Sequence, residues 1–224
     1  MIHNSNSDEE NHLNTDISAL SPSTEGPAVE QLTRLAGHHP TVLIDNLVAG
    51  YGKMEILHGI HMRVGKGQSL CLIGPNGAGK STILHSIYGF TNIMGGCIRV
   101  NEKEITNLTP NDKLKNAGIA YVLQDNSVFP DMTVEENLWM GGYLLEHTEQ
   151  AKERAEVIFA KYDRLRQRRS ARAGVLSGGE RRLLEISRAL IMDPELLLID
   201  EPSIGLEPRF IGMVFEILLD LQRT

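Results

Sequence analysis

The nine residues GPNGAGKST, Gly74–Thr82, constrain this chain more than any other stretch. An apolar run, SLCLI, leads in, and a helix-forming run with Ile83, Leu84 and Ile87 on one face leads out. The residues match G-x-x-x-x-G-K-[ST], and a strand entering with a helix leaving is the context that pattern needs. Its glycines let successive backbone N–H groups turn inward toward anionic oxygens, and the helix that follows adds the positive end of its dipole. Lys80 can reach β- and γ-phosphates, and the Ser81 hydroxyl can ligate Mg²⁺. Gly74, Pro75, Asn76, Gly77, Ala78, Gly79, Lys80, Ser81 and Thr82 are therefore the candidate triphosphate-binding residues.

A phosphate loop of this kind needs a carboxylate partner, and LLLIDE, Leu196–Glu201, supplies one. Four apolar residues bury a strand. Asp200 emerges at its end as the expected Mg²⁺-associated carboxylate, and Glu201 follows it, placed to polarise a water against the γ-phosphate.

The rest of the chain alternates strand and helix signals. TVLIDNLVAGYG (residues 41–52) and the alternating Ile60, Met62 and Val64 read as strands, as do SLCLI (residues 69–73), GIAYVLQ (118–124) and PELLLID (194–200). SLCLI is continuous in its apolar character, which predicts burial on both faces and makes Cys71 a core thiol. Between about residue 131 and residue 171 the sequence is almost wholly helix-forming, so a helical insert interrupts the strand pattern. Alternating strands and helices predict an α/β fold with a mainly parallel sheet.

Composition removes several classes of function. The formal net charge of −7 argues against a general nucleic-acid binder. Much of that charge lies in residues 1–40, whose polar, acidic and aperiodic sequence predicts a disordered tail, with Ala28–Gly37 as a possible short helix. Cys71 and Cys97 have no metal or redox spacing. No apolar run approaches the roughly 18 residues needed to cross a bilayer, and the first residues have neither the basic nor the apolar part of a secretion signal. Membrane association is expected only through a partner. The basic cluster Lys161, Arg164, Arg166, Arg168, Arg169 and Arg172 is expected to be a solvated helix face, with a partner or anionic lipid as the alternative.

One further stretch, LSGGE at Leu176–Glu180, has no base, metal ligand or cysteine, yet opens an apolar helix. Locally it is an N-capping serine with two turn glycines. Together with the phosphate loop it resembles the signature sequence of the ATP-binding cassette (ABC) ATPases. The resemblance covers residues 42–224, with the motifs in family order. Gln124 in YVLQD resembles the Q-loop glutamine, Tyr51 in AGYGK the adenine-stacking aromatic, and SIGLEP (residues 203–208) the D-loop, with Glu207 in place of the usual aspartate.

The resemblance implies a P-loop NTPase of ABC type. Its mainly parallel core sheet carries an antiparallel β subdomain and a helical subdomain over about residues 131–176. It implies ATP and Mg²⁺ as cofactors, with Ser81, Gln124 and Asp200 at the metal and Glu201, Lys80 and Gln124 in catalysis. It also implies a head-to-tail pair in which Leu176, Ser177, Gly178, Gly179 and Glu180 close over the other subunit's nucleotide. The partners implied are that second ATP-binding subunit and membrane-spanning permeases at the cytoplasmic face of the membrane, with no nucleic acid.

VFPDMTVEENLWMGGY and RRSARAGVLSGGERR look most like ATP-binding subunits of branched-chain amino-acid importers, with urea importers and a lipopolysaccharide exporter as neighbours. Family members continue to a further strand and a switch histidine. No histidine follows His147 here, so the cassette is expected to be C-terminally truncated, and a nucleotide-binding module with little turnover is the alternative to a transport ATPase.

Overall fold

The computed structural model describes residues 26–124, 127–203, 206 and 208–223, so the tail expected over residues 1–40 is described only from Gly26 onward. Within that stretch Val29–Ala36 forms a helix, α1. Leu32 and Ala36, one turn apart, are half-buried, and α1 packs on the strand Met54–Val64. Gln68 Nε2 secures the helix end by donating to Leu35 O at 2.9 Å.

An antiparallel sheet forms first in the chain. Strands β1 (Val42–Tyr51), β2 (Met54–Val64), β3 (Asn92–Val100) and β4 (Lys103–Glu104) lie in the order β2-β1-β3-β4. Val42, Ile44, Leu47 and Ala49 of β1 are buried together with Ile98 and Val100 of β3. Helix α2 (Lys80–Tyr88) lays Ile87 against this apolar face.

Strands β5 (Ile119–Val122) and β6 (Leu196–Ile199) form a parallel pair, with Tyr121 opposite Leu198 and Val122 opposite Ile199. Their alternation divides the protein into two cores. Ile119, Tyr121, Leu196 and Leu198 pack with the antiparallel sheet and α2. Val122, Leu197 and Ile199 pack on the other side, with the helical insert. Successive side chains of a strand point to opposite faces, so this short pair is apolar throughout because both of its faces are covered.

The insert comprises α4 (Val134–Gly141), α5 (Thr148–Lys161) and α6 (Asp163–Gln167); α3 (Pro110–Ala117) precedes β5. α4 begins with a capping box in which Thr133 and Glu136 satisfy each other's backbone N–H groups. Asn137, fully buried, uses its amide to hold both the N–H and the C=O of Phe129, pinning the loop that enters the insert. Helices α7 (Gly178–Leu190) and α8 (Pro208–Arg223) complete the second core through Leu183, Leu184, Ile186, Val214 and Ile217.

Two expectations are corrected. Ser69–Ile73 belongs to no strand, and Leu70 and Ile73 are 53% and 91% exposed. Cys71 is likewise exposed and no core thiol. Apolar character expresses a preference for burial, but a strand also needs a neighbouring backbone with which to exchange hydrogen bonds. Among the described residues β6 pairs only with β5, and no ladder includes Ser69–Ile73.

Candidate functional site

The phosphate loop is built around two left-handed glycines, Gly77 (φ +81°) and Gly79 (φ +88°), in a region costly for residues with a Cβ. Gly79 is the N-cap of α2 and offers no side chain to its first N–H groups. Many helices satisfy those groups with a serine, threonine or aspartate; here no side chain caps them, an arrangement that suits an anion. Lys80 turns its ammonium back over the loop and donates to Gly74 O and Pro75 O, both at 2.9 Å. Backbone carbonyls of the loop thus hold the cation.

Ser81 and Asp200, 119 residues apart, meet in this site: Ser81 Oγ donates to Asp200 Oδ1 at 3.1 Å. Asp200 is buried. Its strand has a fixed end, because the Asp200 N–H donates to Val122 O at 3.1 Å, which continues the β5–β6 ladder by one residue. Hydroxyl and carboxylate oxygens at this spacing suit a hard cation such as Mg²⁺, which binds one or two protein oxygens and completes its shell with water and phosphate. Among the described residues no cluster of three or more His, Cys, Asp or Glu side chains forms a separate metal cage.

Tyr121 supplies a second hydroxyl to the same carboxylate, donating to Asp200 Oδ2 at 3.2 Å. Burial and the neighbouring Asp200 carboxylate push the phenol well above its ordinary range, so it keeps its proton. Glu201 follows with a positive φ of 43°, unusual for a residue with a side chain. Its carboxylate accepts a hydrogen bond from Gln124 Nε2 at 2.8 Å. Two of the predicted catalytic residues are therefore in contact, from the ends of neighbouring parallel strands.

Tyr51, at the end of β1, is 44% exposed, and its hydroxyl lies 2.6 Å from His85 Nδ1 on α2. The half-exposed ring is thereby tethered to the helix that begins at the phosphate loop.

In the LSGGE turn, Ser177 N-caps α7 through a capping box with Glu180. Burial pushes the Glu180 carboxyl up, but hydrogen bonds from the Ser177 N–H and hydroxyl, with Arg168 nearby, hold it below its usual range. The two glycines differ. Gly178 is exposed, whereas Gly179 is buried under the Phe210 ring, which occupies the space a Cβ would need. Leu176, just before the turn, is a core residue. Glu207 of the D-loop lies outside the described residues.

Arg182 and Tyr121 were not among the residues expected from the sequence. Arg182 is buried on α7, paired with Glu185 at 2.9 Å, and donates to Leu123 O at 2.8 Å and Asp200 O at 3.0 Å. A charged pair spaced i, i+3 inside an apolar helix stripe is its signal; for Tyr121 it is one hydroxyl-bearing ring in an otherwise aliphatic strand. The basic cluster is largely paired: Lys161 with Asp220, Arg166 with Asp163, Arg168 with Glu180, and Arg169 with Glu135 and Glu156.

Comparison with known proteins gives a family model described as ABC transporter, matching residues 57–204. The chain is similar to the high-affinity branched-chain amino acid transport ATP-binding protein BraG of Pseudomonas aeruginosa, with 41% identity covering 80% of this chain and 76% of that one. It is also similar to a probable branched-chain amino acid transport ATP-binding protein, LivF, of Archaeoglobus fulgidus, at 38% identity covering 79% and 74%. A Nod factor export ATP-binding protein I of Cupriavidus pinatubonensis is 35% identical over 78% of this chain and 53% of its own. Among solved structures, a nucleotide-free ATP-binding cassette from an ABC transporter superposes with a TM-score of 0.73 at 31% identity, covering 82% of this chain and 78% of that one.

Proposed function

We propose a function from one premise: the chain belongs to the ABC transporter family and is an ATP-binding subunit of such a transporter. On our reading it hydrolyses MgATP as half of a head-to-tail pair and drives import of branched-chain amino acids through membrane permeases. The meeting of Ser81 Oγ with Asp200 Oδ1 is the observation that carries the enzymatic part. It supports a metal-dependent phosphate site assembled from segments distant in sequence. Import of branched-chain amino acids is supported by the names of BraG and LivF, and the Nod factor export relative makes export the second reading.

Each residue then has a role. Tyr51 stacks on adenine. The bare N-terminus of α2 and the Lys80 ammonium, released from Gly74 and Pro75, take the phosphate oxygens. Ser81 and Asp200 hold Mg²⁺, with Gln124 beside them; when bound, Mg²⁺ neutralises charge on the transferred phosphoryl group. Glu201, released from Gln124, orients the attacking water. In the pair, the Ser177 hydroxyl and the N–H groups of Gly178 and Gly179 serve the other subunit's γ-phosphate.

A groove of about 350 Å³ between β5 and the helical insert is lined by Tyr121, Phe129, Met140, Tyr143 and Arg188. Phe129, Met140 and Tyr143 are 41, 38 and 65% exposed, an apolar surface suited to a helix of a permease. Among the described residues no helix is long and apolar enough to cross a membrane. In the proposed assembly the permeases provide the membrane contact.

The test is Mg²⁺-dependent ATP turnover and binding of a fluorescent ATP analogue, in the wild type and in Glu201→Gln. Turnover in the wild type, lost at least a hundredfold in Glu201→Gln with binding kept and an ATP-dependent dimer accumulating, supports the reading. Binding without wild-type turnover leaves a nucleotide-binding module and ends the enzymatic proposal. Leucine uptake by vesicles carrying the chain with its permeases tests solute and direction.

A further inference from the structure

The Asp200 carboxylate is reached by two hydroxyls, one on each oxygen: Ser81 on Oδ1 at 3.1 Å and Tyr121 on Oδ2 at 3.2 Å. They are not equivalent. A serine that ligates a cation turns its lone pairs to the metal and keeps at most its proton for the carboxylate, while a tyrosine on the opposite oxygen has no such second task.

Strand geometry explains how the phenol comes to be there. In the β5–β6 register Tyr121 is opposite Leu198, so Asp200 is two residues further along the partner strand on the same face. That diagonal relationship lies within reach of an aromatic side chain. It is also the face covered by α2, and three rings of α2 and its following turn surround Tyr121. The centroid distances are 5.7 Å to His85, 5.3 Å to Tyr88 and 6.0 Å to Phe90. The ring is half-buried and held from several sides, so the hydroxyl is delivered by a fixed support.

We propose that Tyr121 is a positioning residue for the metal site: its hydroxyl fixes the Asp200 carboxylate in the orientation that meets Ser81, and so sets the affinity of the site for a divalent cation. The proposal rests on the reading of Ser81 and Asp200 as the metal-binding pair. In this role Tyr121 acts through Asp200, the carboxylate that its hydroxyl meets. A hydrogen bond to an ionised acceptor is stronger than one between neutral groups, and a carboxylate free to rotate loses part of its preorganisation for the cation.

The experiment measures Mn²⁺ binding by electron paramagnetic resonance to protein loaded with ADP, beside binding of a fluorescent ADP analogue in EDTA. Tyr121→Phe, Asp200→Asn and the double variant are compared with the wild type. Tyr121→Phe keeps the ring and its three neighbours and removes only the hydroxyl. It is expected to weaken Mn²⁺ by about tenfold, the scale of one hydrogen bond to a charged group, and to leave metal-free nucleotide binding within about twofold. The double variant is expected to bind Mn²⁺ no more weakly than Asp200→Asn alone, because the hydroxyl acts through that carboxylate.

Wild-type Mn²⁺ affinity in Tyr121→Phe, with affinity lost in Asp200→Asn, overturns the role of Tyr121 and spares the metal site. Equal weakening of metal-free and metal-dependent binding in Tyr121→Phe, or failure of that variant to fold, makes the hydroxyl structural and overturns it too. Unchanged Mn²⁺ affinity in Asp200→Asn removes the metal-site reading, and the proposal with it.

Discussion

The guanidinium of Arg182 donates to the backbone carbonyl of Asp200 at 3.0 Å. Helix α7, which begins in the LSGGE turn, is therefore hydrogen-bonded to the peptide that carries the candidate metal carboxylate. A second hydrogen bond, to Leu123 O, ties the same side chain to the end of β5, and Glu185 neutralises it from one turn away. Glu185 in turn accepts from the Ser127 N–H at 2.9 Å. One buried ion pair thus joins α7 to the ends of both parallel strands.

Removing half of that pair leaves a charge in the core. Glu185 has 4% of its side chain exposed, and stranding such a carboxylate costs about 3–5 kcal/mol. Arg182→Met is expected to lose stability on that scale in urea unfolding. Arg182→Met combined with Glu185→Leu is expected to recover a substantial part of it, since no unpaired charge then remains. Equal losses in the single and double variants would show that the backbone contacts, and not the pairing, carry the effect.

The two glycines of the LSGGE turn separate structure from function. A methyl group at Gly179 would enter the space of the Phe210 ring, while at Gly178 the nearest atom is Leu206 Cδ2 at 3.5 Å. Overpacking of that kind costs about 1–3 kcal/mol, so Gly179→Ala is expected to unfold earlier in thermal melts and Gly179→Ala with Phe210→Ala to regain part of the loss. Gly178→Ala is expected to melt within a few degrees of the wild type yet to lower ATP-dependent dimerisation, because the added methyl would crowd the exposed turn proposed to face the other subunit's phosphate.

Local chemistry was more legible than long-range pairing. The left-handed turn at Gly77 and Gly79 and the helix that starts at Lys80 could be read because the motif fixes consecutive residues of stated type. Ser177 was legible as an N-cap for the same reason, whereas the return contact from Glu180 that completes its capping box came from the structure. The helical insert and the strands β1, β5 and β6 followed from period and length. Ser69–Ile73 misled because its apolar run carries no information about which backbone would pair with it. Tyr121 and Arg182 were hidden, since their partners, Asp200 Oδ2 and the Asp200 carbonyl, come close only through the β5–β6 register and the α7 crossing.

The ring proposed to stack on adenine is itself held, its hydroxyl 2.6 Å from His85 Nδ1. Loss of an aromatic platform under a base costs about 1–3 kcal/mol, so Tyr51→Ala is expected to weaken the fluorescent ATP analogue by roughly 5- to 150-fold on that scale. Tyr51→Phe retains the platform and gives up only the tether to His85, and it should bind within about threefold of the wild type. Equal effects of the two substitutions would locate the contribution in the hydroxyl and remove Tyr51 as a stacking surface.

Lys113 on α3 is fully buried, and its ammonium finds the Ser86 carbonyl near the end of α2 only at 3.4 Å. Burial pulls its pKa down to about 8 from the ordinary 10.5, with no carboxylate contributing. Below about pH 8 the lysine is charged in both the folded and unfolded chain, and the full cost of burying that charge is present. Between about pH 8 and 10.5 the folded protein has released the proton while the unfolded chain still holds it, so stability rises with pH; above 10.5 the gain is complete. At about 1.4 kcal/mol for each pH unit of that window, the rise amounts to roughly 2–4 kcal/mol. Other groups titrate over the same range, so the measurement is a difference: urea unfolding of the wild type and of Lys113→Met at pH 7, 8, 9 and 10. The methionine variant is expected to be the more stable at pH 7, with an advantage that shrinks steadily toward pH 10. A difference that does not change with pH would mean that Lys113 is solvated where it sits and keeps an ordinary lysine pKa.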